Sequence, residues 1–288
     1  MSYFLGSRTI PTSLLDSLRA EPLYKNHLKG DIQSGEVFPA FRRNRIDFYY
    51  KGGKLFQYDG KFATHIKFAS VIIPSKPKDY VTETDLSSTI VPLSNFSEGY
   101  SRIKENCKLY SGDEDIGISD IYHSFTATKK SKIIVLDIEI AFSSKDEDKR
   151  TNRIDMLLFN TESRVIRFYE AKDFYNKELW SAEGKAPQVI SQIKRYEEQI
   201  SKDRDFILQE YTGYTNLLNE LCGTDLKPPV SLDEHVCLLI FGFDANQKYG
   251  RLDKLLLSDN SLQGIMHYEV GDTKTAKITS IWNQAKCD

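Results

Sequence analysis

Apolar and polar residues alternate between Glu36 and Ser70, and the alternation is broken at Gly52-Gly53 and at Asp59-Gly60. Such dipeptides are typical of hairpin turns, and a period of two is typical of half-buried strands. The residues expected on one face of the last strand are Phe62, Thr64, Ile66 and Phe68. The pattern predicts a small antiparallel β-meander, preceded by a short helix in "PTSLLDSLRAE".

A second patterned region begins at Asn95, a helix cap with Glu98 three residues after it and apolar residues at helical spacing. Three strand-like segments follow, "KIIVLDIEIAF", "RIDMLLFN" and "RVIRFYEAK". The last two are close in sequence and predict an antiparallel hairpin that turns near residue 162. A helical stretch over about 187–221, broken near Asp203 or Gly213, precedes a buried strand in "HVCLLIFGF", a further helix and a last strand.

The two patterned regions are separated by "PSKPKDYVTETDLSST", which is rich in Pro, Ser, Thr and charge. This composition is typical of a linker between domains. We therefore expect a boundary near residue 90. A β-rich module would occupy residues 1–90, and an α/β domain would occupy residues 91–288.

The composition is that of a globular protein and does not by itself indicate a chemical activity. The chain has 288 residues, of which 40% are apolar, and a formal charge of −2, as expected of an ordinary globular protein. Its longest apolar run, "VCLLIF", is too short to cross a membrane, and its N-terminus lacks the pattern of a secretion signal. We expect a cytoplasmic protein without membrane contact, and the four scattered cysteines are expected to be reduced.

Two carboxylates and a lysine interrupt the predicted hairpin. A turn near residue 162 would bring Asp155 opposite residues 168–170, so that the side chains of Asp155 and Glu170 share one face about 5 Å apart. Lys172 lies on the same face because the strand period is two. Carboxylates this close repel each other, so Lys172 and a hard divalent cation such as Mg²⁺ or Mn²⁺ are expected between them.

A carboxylate-bound Mg²⁺ can polarise a phosphoryl oxygen and activate a water, while a lysine offsets charge in the transition state. These groups suit phosphodiester hydrolysis. The plainer interpretation is a surface ion pair, because Glu-x-Lys is common on strands and contributes only about 0–1 kcal/mol. Asp155 favours the functional interpretation, since its flanking residues Ile154 and "MLLF" are apolar and do not form a solvated face.

At these residues the chain resembles the PD-(D/E)xK nuclease superfamily. Its restriction-endonuclease-like core has the order helix, three strands, helix, strand (αβββαβ), with a mixed sheet flanked by helices in an α/β (α+β) fold. The resemblance places Asp155 at the motif aspartate and Glu170-Ala171-Lys172 at (D/E)xK, with Ile154 in place of the proline. It implies metal binding by Asp155 and Glu170 and activation of water by Lys172.

The helix after the third strand contains Gln192 and Tyr196 in "PQVISQIKRYEEQ". The pair resembles the QxxxY motif of the recombination-type and lambda-exonuclease-type branch, where both side chains border the active site and contact the substrate or its attacking water. Gln188 and Gln199 extend the polar stripe, so a solvated helix face is the alternative. Lys194 and Arg195 on the same helix are expected to bind nucleic acid.

Glu139, inside the apolar first strand, is a third candidate metal ligand, because a carboxylate in that position needs a partner or an ion. In the N-terminal module, eleven lysines and arginines stand against four acidic residues between Lys25 and Lys78. Arg42, Arg43 and Arg45 are interleaved there with aromatic residues and are candidates for binding nucleic acid. The alternative is that the aromatic residues form the core of the sheet.

The resemblance implies a Mg²⁺- or Mn²⁺-dependent nuclease acting on DNA, such as a restriction, antiviral-defence or DNA-processing component. RNA as the substrate stays open, because none of these residues distinguishes a 2′-hydroxyl. A homodimer or a partner subunit is also left open. The rival function is a nuclease-fold subunit that binds nucleic acid or supports assembly without cleaving.

Overall fold

The computed structural model describes residues 8–72, 79–87, 93–142, 152–180, 185–257, 262 and 264–287. The chain forms two compact units. We call Ser7–Lys129 together with Asn216–Thr224 the N-terminal unit. Lys130–Thr215 together with Asp225–Asp288 belong to the C-terminal unit. The expected boundary near residue 90 is therefore wrong by about forty residues.

The N-terminal unit contains a five-stranded antiparallel sheet in the order β1-β2-β3-β4-β5. Its strands are β1 (Phe38–Arg42), β2 (Arg45–Tyr50), β3 (Gly53–Tyr58), β4 (Phe62–His65) and β5 (Tyr80–Thr82). Its helices are α1 (Thr12–Ala20), α2 (Lys29–Ser34), α3 (Ile66–Ala69), α4 (Glu83–Leu86), α5 (Tyr100–Leu109) and α6 (Asp113–Ser124), with a π-helical turn at Tyr24–Leu28 and a 3₁₀ turn at Ala127–Lys129.

This sheet confirms the predicted β-meander and corrects its details. Gly52 has a φ of +86° in the β2–β3 turn, where a Cβ would also collide with Asp115, so the turn requires glycine. The expected strand through Ile66 and Phe68 is wrong. The strand ends at His65, whose Nδ1 accepts a hydrogen bond from the Lys67 amide at 3.1 Å and thereby starts a helical turn.

The expected linker and the expected first core helix both belong to the N-terminal unit. In the linker sequence, β5 pairs with β4, and α4 follows it; residues 73–78 and 88–92 lie outside the described part. Helix α5 buries Tyr100, Ile103 and Cys107 and packs on α3 and β3. Its apolar face was predicted correctly, but that face covers the N-terminal sheet instead of the C-terminal one.

The C-terminal unit contains a mixed six-stranded sheet in the order β11-β10-β9-β8-β7-β6. Its strands are β6 (Ile133–Phe142), β7 (Asn152–Asn160), β8 (Val165–Asp173), β9 (Ser231–Phe241), β10 (Met266–Gly271) and β11 (Lys286–Cys287). Strands β6, β7 and β8 pair antiparallel, whereas β8, β9 and β10 pair parallel. The mixed α/β character expected from the sequence is confirmed, and the predicted hairpin is β7–β8.

Helices flank this sheet. They are α7 (Gln188–Lys202), α8 (Arg204–Cys222), α9 (Ala245–Gln247) and α10 (Ile278–Asn283), with a π-helix at Lys248–Leu257 and 3₁₀ turns at Lys177–Leu179 and Thr273–Thr275. The break between α7 and α8 falls at Asp203, as predicted. The last residues of α8, from Asn216, belong to the N-terminal unit.

The described residues bear on two expectations drawn from composition, the state of the cysteines and the presence of membrane-spanning segments. Cys107, Cys222 and Cys237 are buried free thiols, and burial raises the pKa of Cys107 and of Cys222 to about 12. Thiols with such a pKa stay protonated and unreactive near neutral pH. Among the described helices, none is long and apolar enough to span a membrane.

Candidate active site

The β7–β8 hairpin brings Asp155 beside Glu170. Met156 pairs with Tyr169, so the next position along the ladder sets Asp155 against Glu170, within the predicted 168–170 window. At this position a side chain, and not the backbone, bonds to the neighbouring strand. The Asp155 Oδ2 accepts a hydrogen bond from the Ala171 amide at 2.7 Å. The carboxylate is thereby fixed on the backbone of the strand that carries Glu170 and Lys172.

Glu170 and Lys172 form a buried ion pair on β8. Lys172 Nζ lies 2.8 Å from Glu170 Oε1, and both side chains are almost inaccessible to solvent. A second carboxylate, Glu178, reaches the same ammonium, with its Oε2 3.0 Å from Nζ. The lysine is thus held between a strand carboxylate and a half-exposed one from the following 3₁₀ turn.

Helix α7 covers this ion pair with Gln192 and Tyr196. Gln192 Nε2 donates to Glu170 Oε1 at 2.7 Å and lies 3.3 Å from the Tyr196 hydroxyl oxygen. The Tyr196 hydroxyl donates to the Arg153 carbonyl oxygen at 2.7 Å. The alternative of a solvated helix face is wrong for these two residues. Tyr196 is fully buried, so here it holds β7 in place and does not face a substrate strand.

Glu139 on β6 lies directly opposite Asp155 on the neighbouring strand β7, because the flanking pairs are Ile138 with Met156 and Ile140 with Ile154. Its backbone has a φ of +51°, a left-handed conformation that non-glycine residues rarely adopt within a strand. Its Oε2 accepts from Arg153 Nη1 at 3.1 Å. Glu139 is therefore paired with an arginine of the neighbouring strand β7.

The electrostatics of the site centre on Asp155. Burial raises the pKa of Asp155 well above its usual value, and the negative charges of Glu170 and Glu139 raise this pKa further. The Lys172 ammonium and the Ala171 amide act in the opposite direction but do not offset the increase. Burial, and then the Glu170 charge, also raise the pKa of Tyr196, so its hydroxyl remains a hydrogen-bond donor.

The donor set fits a divalent cation held by two carboxylates. In the part of the chain that the structure describes, no group of three or more His, Cys, Asp or Glu side chains is arranged to hold a metal. Glu139 is therefore not gathered with Asp155 and Glu170 into the three-carboxylate shell that the sequence suggested. Mg²⁺ is commonly held by one or two carboxylates and several waters, which matches Asp155 with Glu170.

The residues expected to bind nucleic acid fall in both units. Lys194 and Arg195 are exposed on α7, the helix that carries Gln192. Arg42, Arg43 and Arg45 form the β1–β2 turn of the N-terminal unit. Arg42 Nη1 donates to the Phe41 carbonyl at 2.8 Å, and Arg45 Nε lies 2.7 Å from Asp47 Oδ1.

The aromatic residues interleaved with these arginines form the core of the N-terminal sheet. The buried ones are Phe41, Phe48, Tyr49, Phe56 and Tyr58. The rings of Phe48, Phe56 and Tyr58 pack on Phe62, and the Phe56 ring stacks on Tyr100 of α5 with centroids 6.2 Å apart. These buried rings are therefore not a base-stacking surface. The alternative interpretation, in which the aromatic residues form the core of the sheet, applies to them.

Sequence reasoning missed Glu178. The residue lies in a single 3₁₀ turn, where neither a helical nor a strand period marks its direction. The one local signal was Asn176, whose Oδ1 accepts from the Glu178 amide at 2.8 Å and starts the turn. That signal predicts a turn, but the ion pair with Lys172 follows only from the three-dimensional arrangement.

No protein-family model, curated protein or solved structure matches the chain. Its chemistry therefore has to be inferred from the site. Two carboxylates that repel each other can bind a divalent cation, and a buried ammonium beside them can offset negative charge on a bound group. Gln192 fixes the orientation of Glu170, and Tyr196 fixes the backbone beside Asp155.

Proposed function

We propose that the chain is a Mg²⁺-dependent nuclease that hydrolyses phosphodiester bonds of DNA. The observation that carries the proposal is the arrangement of Asp155, Glu170 and Lys172 on one face of the β7–β8 hairpin, under Gln192. The order of three antiparallel strands, helix and parallel strand supports the resemblance to PD-(D/E)xK nucleases. Helix α5, which the sequence suggested as the first helix of that core, belongs to the N-terminal unit and does not fill this place.

Asp155 and Glu170 would hold the cation. When bound, it would polarise a phosphoryl oxygen and lower the pKa of a water. Lys172 would orient the attacking water and offset the charge that develops on the phosphoryl oxygens, because its ammonium is fixed between Glu170 and Glu178. Gln192 would keep Glu170 in its rotamer through the 2.7 Å hydrogen bond.

A buried ammonium is effective in this role for two reasons. The low local dielectric strengthens its interaction with a phosphate, and its fixed position removes the cost of reorganisation during the reaction. The same surroundings raise the pKa of Asp155, so a cation that binds there stabilises the ionised carboxylate. The bound cation would thus offset the charge of the carboxylates, and the ammonium would offset the charge of the bound phosphate.

The proposal is tested by incubating the protein with circular duplex DNA, linear duplex DNA, single-stranded DNA and RNA, each in Mg²⁺ and in EDTA. We expect Mg²⁺-dependent cleavage of DNA by the wild type. Asp155→Asn should lower the rate at least about 10²-fold, because it removes a charged ligand while keeping the shape of the side chain. Calorimetry should show weaker Mg²⁺ binding to the same variant.

Glu162→Gln is the matched control, since Glu162 lies in the exposed turn of the same hairpin and pairs only with exposed Lys132 in the described contacts. It should cleave like the wild type. A folded wild type that cuts none of the four substrates would contradict the enzymatic proposal. If such a protein still binds nucleic acid with unchanged affinity after Asp155→Asn, a binding or assembly subunit is the better description.

A further inference from the structure

The segments that follow β8 and β9 meet beside Lys172. Strand β8 ends at Asp173, and the chain then passes through Phe174, Tyr175 and Glu178 to Trp180. After β9, α9 and the π-helix carry Gln247, Tyr249 and Arg251. Because β8 and β9 are parallel neighbours, their carboxyl ends lie at the same edge of the sheet, the edge where ligands bind in open α/β sheets.

Specific contacts fix these two segments against each other. Gln247 Nε2 donates to the Tyr175 hydroxyl at 2.6 Å, and the Arg251 guanidinium lies 4.0 Å from the centroid of the Trp180 ring. The Trp180 Nε1 donates to the Phe174 carbonyl at 2.8 Å. The buried Phe174 ring packs edge-on against Trp180 at 5.2 Å. These aromatic side chains are therefore held in fixed positions.

The outer members of this group are open to solvent. Tyr175 is 69% exposed and Tyr249 is 68% exposed, which places them among the most exposed large apolar side chains of the described residues. Lys177 and Arg251, each two residues after one of these tyrosines in the sequence, are exposed as well. Exposed aromatic rings near cationic side chains suit the binding of a partner, because a partner that covers the rings buries their apolar faces.

We propose that Tyr175, Tyr249 and the Arg251 guanidinium, which Trp180 holds in place, stack the bases of single-stranded DNA next to the candidate active site. Aromatic rings and guanidinium groups stack on bases, and lysine and arginine neutralise the phosphates between them. Bases within a duplex are covered on both faces, so only a single strand or a frayed end can use this surface. We name it the stacking surface.

The stacking surface is continuous with the candidate site through Glu178, which lies between Tyr175 and Trp180 in sequence and reaches Lys172. A strand bound there would approach Lys172 from the side of Glu178, whose side chain is partly exposed. The inference rests on the proposed function and narrows its substrate class to single-stranded DNA or to the single-stranded end of a duplex.

The test is binding of the full chain in EDTA to fluorescent single-stranded DNA, duplex DNA and single-stranded RNA at fixed salt. We expect the wild type to bind both single strands more tightly than the duplex, because stacking uses base faces that DNA and RNA share. Tyr175→Ala and Tyr249→Ala should each weaken this binding about tenfold, whereas Tyr175→Phe, which keeps the ring, should retain it.

Tyr110→Ala is the matched control. Tyr110 is also 60% exposed and lies under a lysine, Lys67, but it belongs to the N-terminal unit. Equal affinities of wild type and both alanine variants, a preference for the duplex, or an equal loss in Tyr110→Ala would overturn the stacking surface. Binding that depends on Tyr175 without any cleavage would support this surface and reject the nuclease. Cleavage unaffected by Tyr175→Ala and Tyr249→Ala would do the reverse.

Discussion

Each unit of the molecule holds one lysine between two carboxylates. In the N-terminal unit, Lys104 Nζ lies 2.6 Å from Asp31 Oδ2 and 2.7 Å from Glu36 Oε2. In the C-terminal unit, Lys172 Nζ lies 2.8 Å from Glu170 and 3.0 Å from Glu178. The distances and residue types are nearly the same, so the difference between the clusters lies in what surrounds them.

The surroundings of Lys104 stabilise its charge. The rings of Tyr50 and Tyr100 lie 4.5 Å and 5.5 Å from its ammonium, and the Tyr100 hydroxyl donates to Asp31 at 2.6 Å. Burial acts to lower the pKa of Lys104, but hydrogen bonds to Asp31 and Glu36 outweigh burial and raise it. Every strong contact of this cluster favours the charges already present.

At Lys172 a further carboxylate, Asp155, faces the pair, and the surroundings disfavour its ionised form. A cation bound there would reverse that preference, whereas a cation at Lys104 would gain little. Two similar ion pairs can therefore have different roles. We propose that the Lys104 cluster closes a structural contact, whereas Asp155 adds an excess of negative charge at Lys172 that favours a bound cation.

The largest effect should come from exchanging the two lysines for alanine. We expect Lys172→Ala to lower the cleavage rate about 10²–10⁴-fold, because it removes the charge beside the reacting phosphate. Lys104→Ala should cleave normally and lose about 1–3 kcal/mol in the free energy of unfolding. Rates from single-turnover cleavage and unfolding in urea measure the two effects.

Lys172→Gln is a second variant for the case that Lys172→Ala does not fold. Its amide can still donate a hydrogen bond to the buried Glu170 but lacks the charge. A folded Lys172→Gln protein that cleaves at the wild-type rate would remove the distinction between the two clusters. So would a loss of cleavage in Lys104→Ala equal to that in Lys172→Ala.

A smaller effect is expected from Glu178, which contacts Lys172 and acts as a positioning residue. Glu178→Ala should lower kcat about tenfold without changing KM, because the ammonium loses a carboxylate that anchors it. Glu178→Gln should recover part of kcat, since the amide oxygen still accepts from Lys172. Glu36→Ala is the corresponding change at Lys104 and should leave both kinetic constants unaltered. A rise in KM alone would show that Glu178 contacts the substrate instead.

The sequence predicted the β7–β8 part of the site well. A hairpin with a short turn has few registers, and the period of two then puts Asp155, Glu170 and Lys172 on one face. The pair Gln192 and Tyr196 was equally accessible, because a spacing of four fixes a common helix face. These are local relations, and local rules determine them.

Other features depend on relations between distant segments. The apolar face of α5 shows that the helix packs on something, but its spacing does not show on which sheet. The basic and aromatic composition of the N-terminal strands suggested a base-binding surface, yet the rings are buried. The exposed ring of Tyr175 comes from a turn without periodicity, and that of Tyr249 lies on the exposed side of a helix, so the sequence did not show that the two segments meet.

The smallest expected effect is on stability. The pKa of Asp155 in the folded protein lies above its value in the unfolded chain, so the folded state retains a proton that the unfolded chain releases as pH rises beyond about 4. The resulting stabilisation is complete below that pH and is lost as pH rises toward the folded pKa. Asp155→Asn removes this dependence, so its stability relative to the wild type should increase with pH.

Without metal at neutral pH, we expect Asp155→Asn to be more stable than the wild type by about 1 kcal/mol, or roughly 2–4 °C in Tm. Asp31→Asn at the other cluster should have the opposite sign, because it weakens a favourable pair with Lys104. Mg²⁺ should raise the Tm of the wild type and leave that of Asp155→Asn unchanged. Thermal unfolding between pH 5 and pH 8 measures all three. A destabilised Asp155→Asn protein would show that Asp155 is a satisfied structural carboxylate, like Asp31, and would remove the charge excess on which the comparison depends.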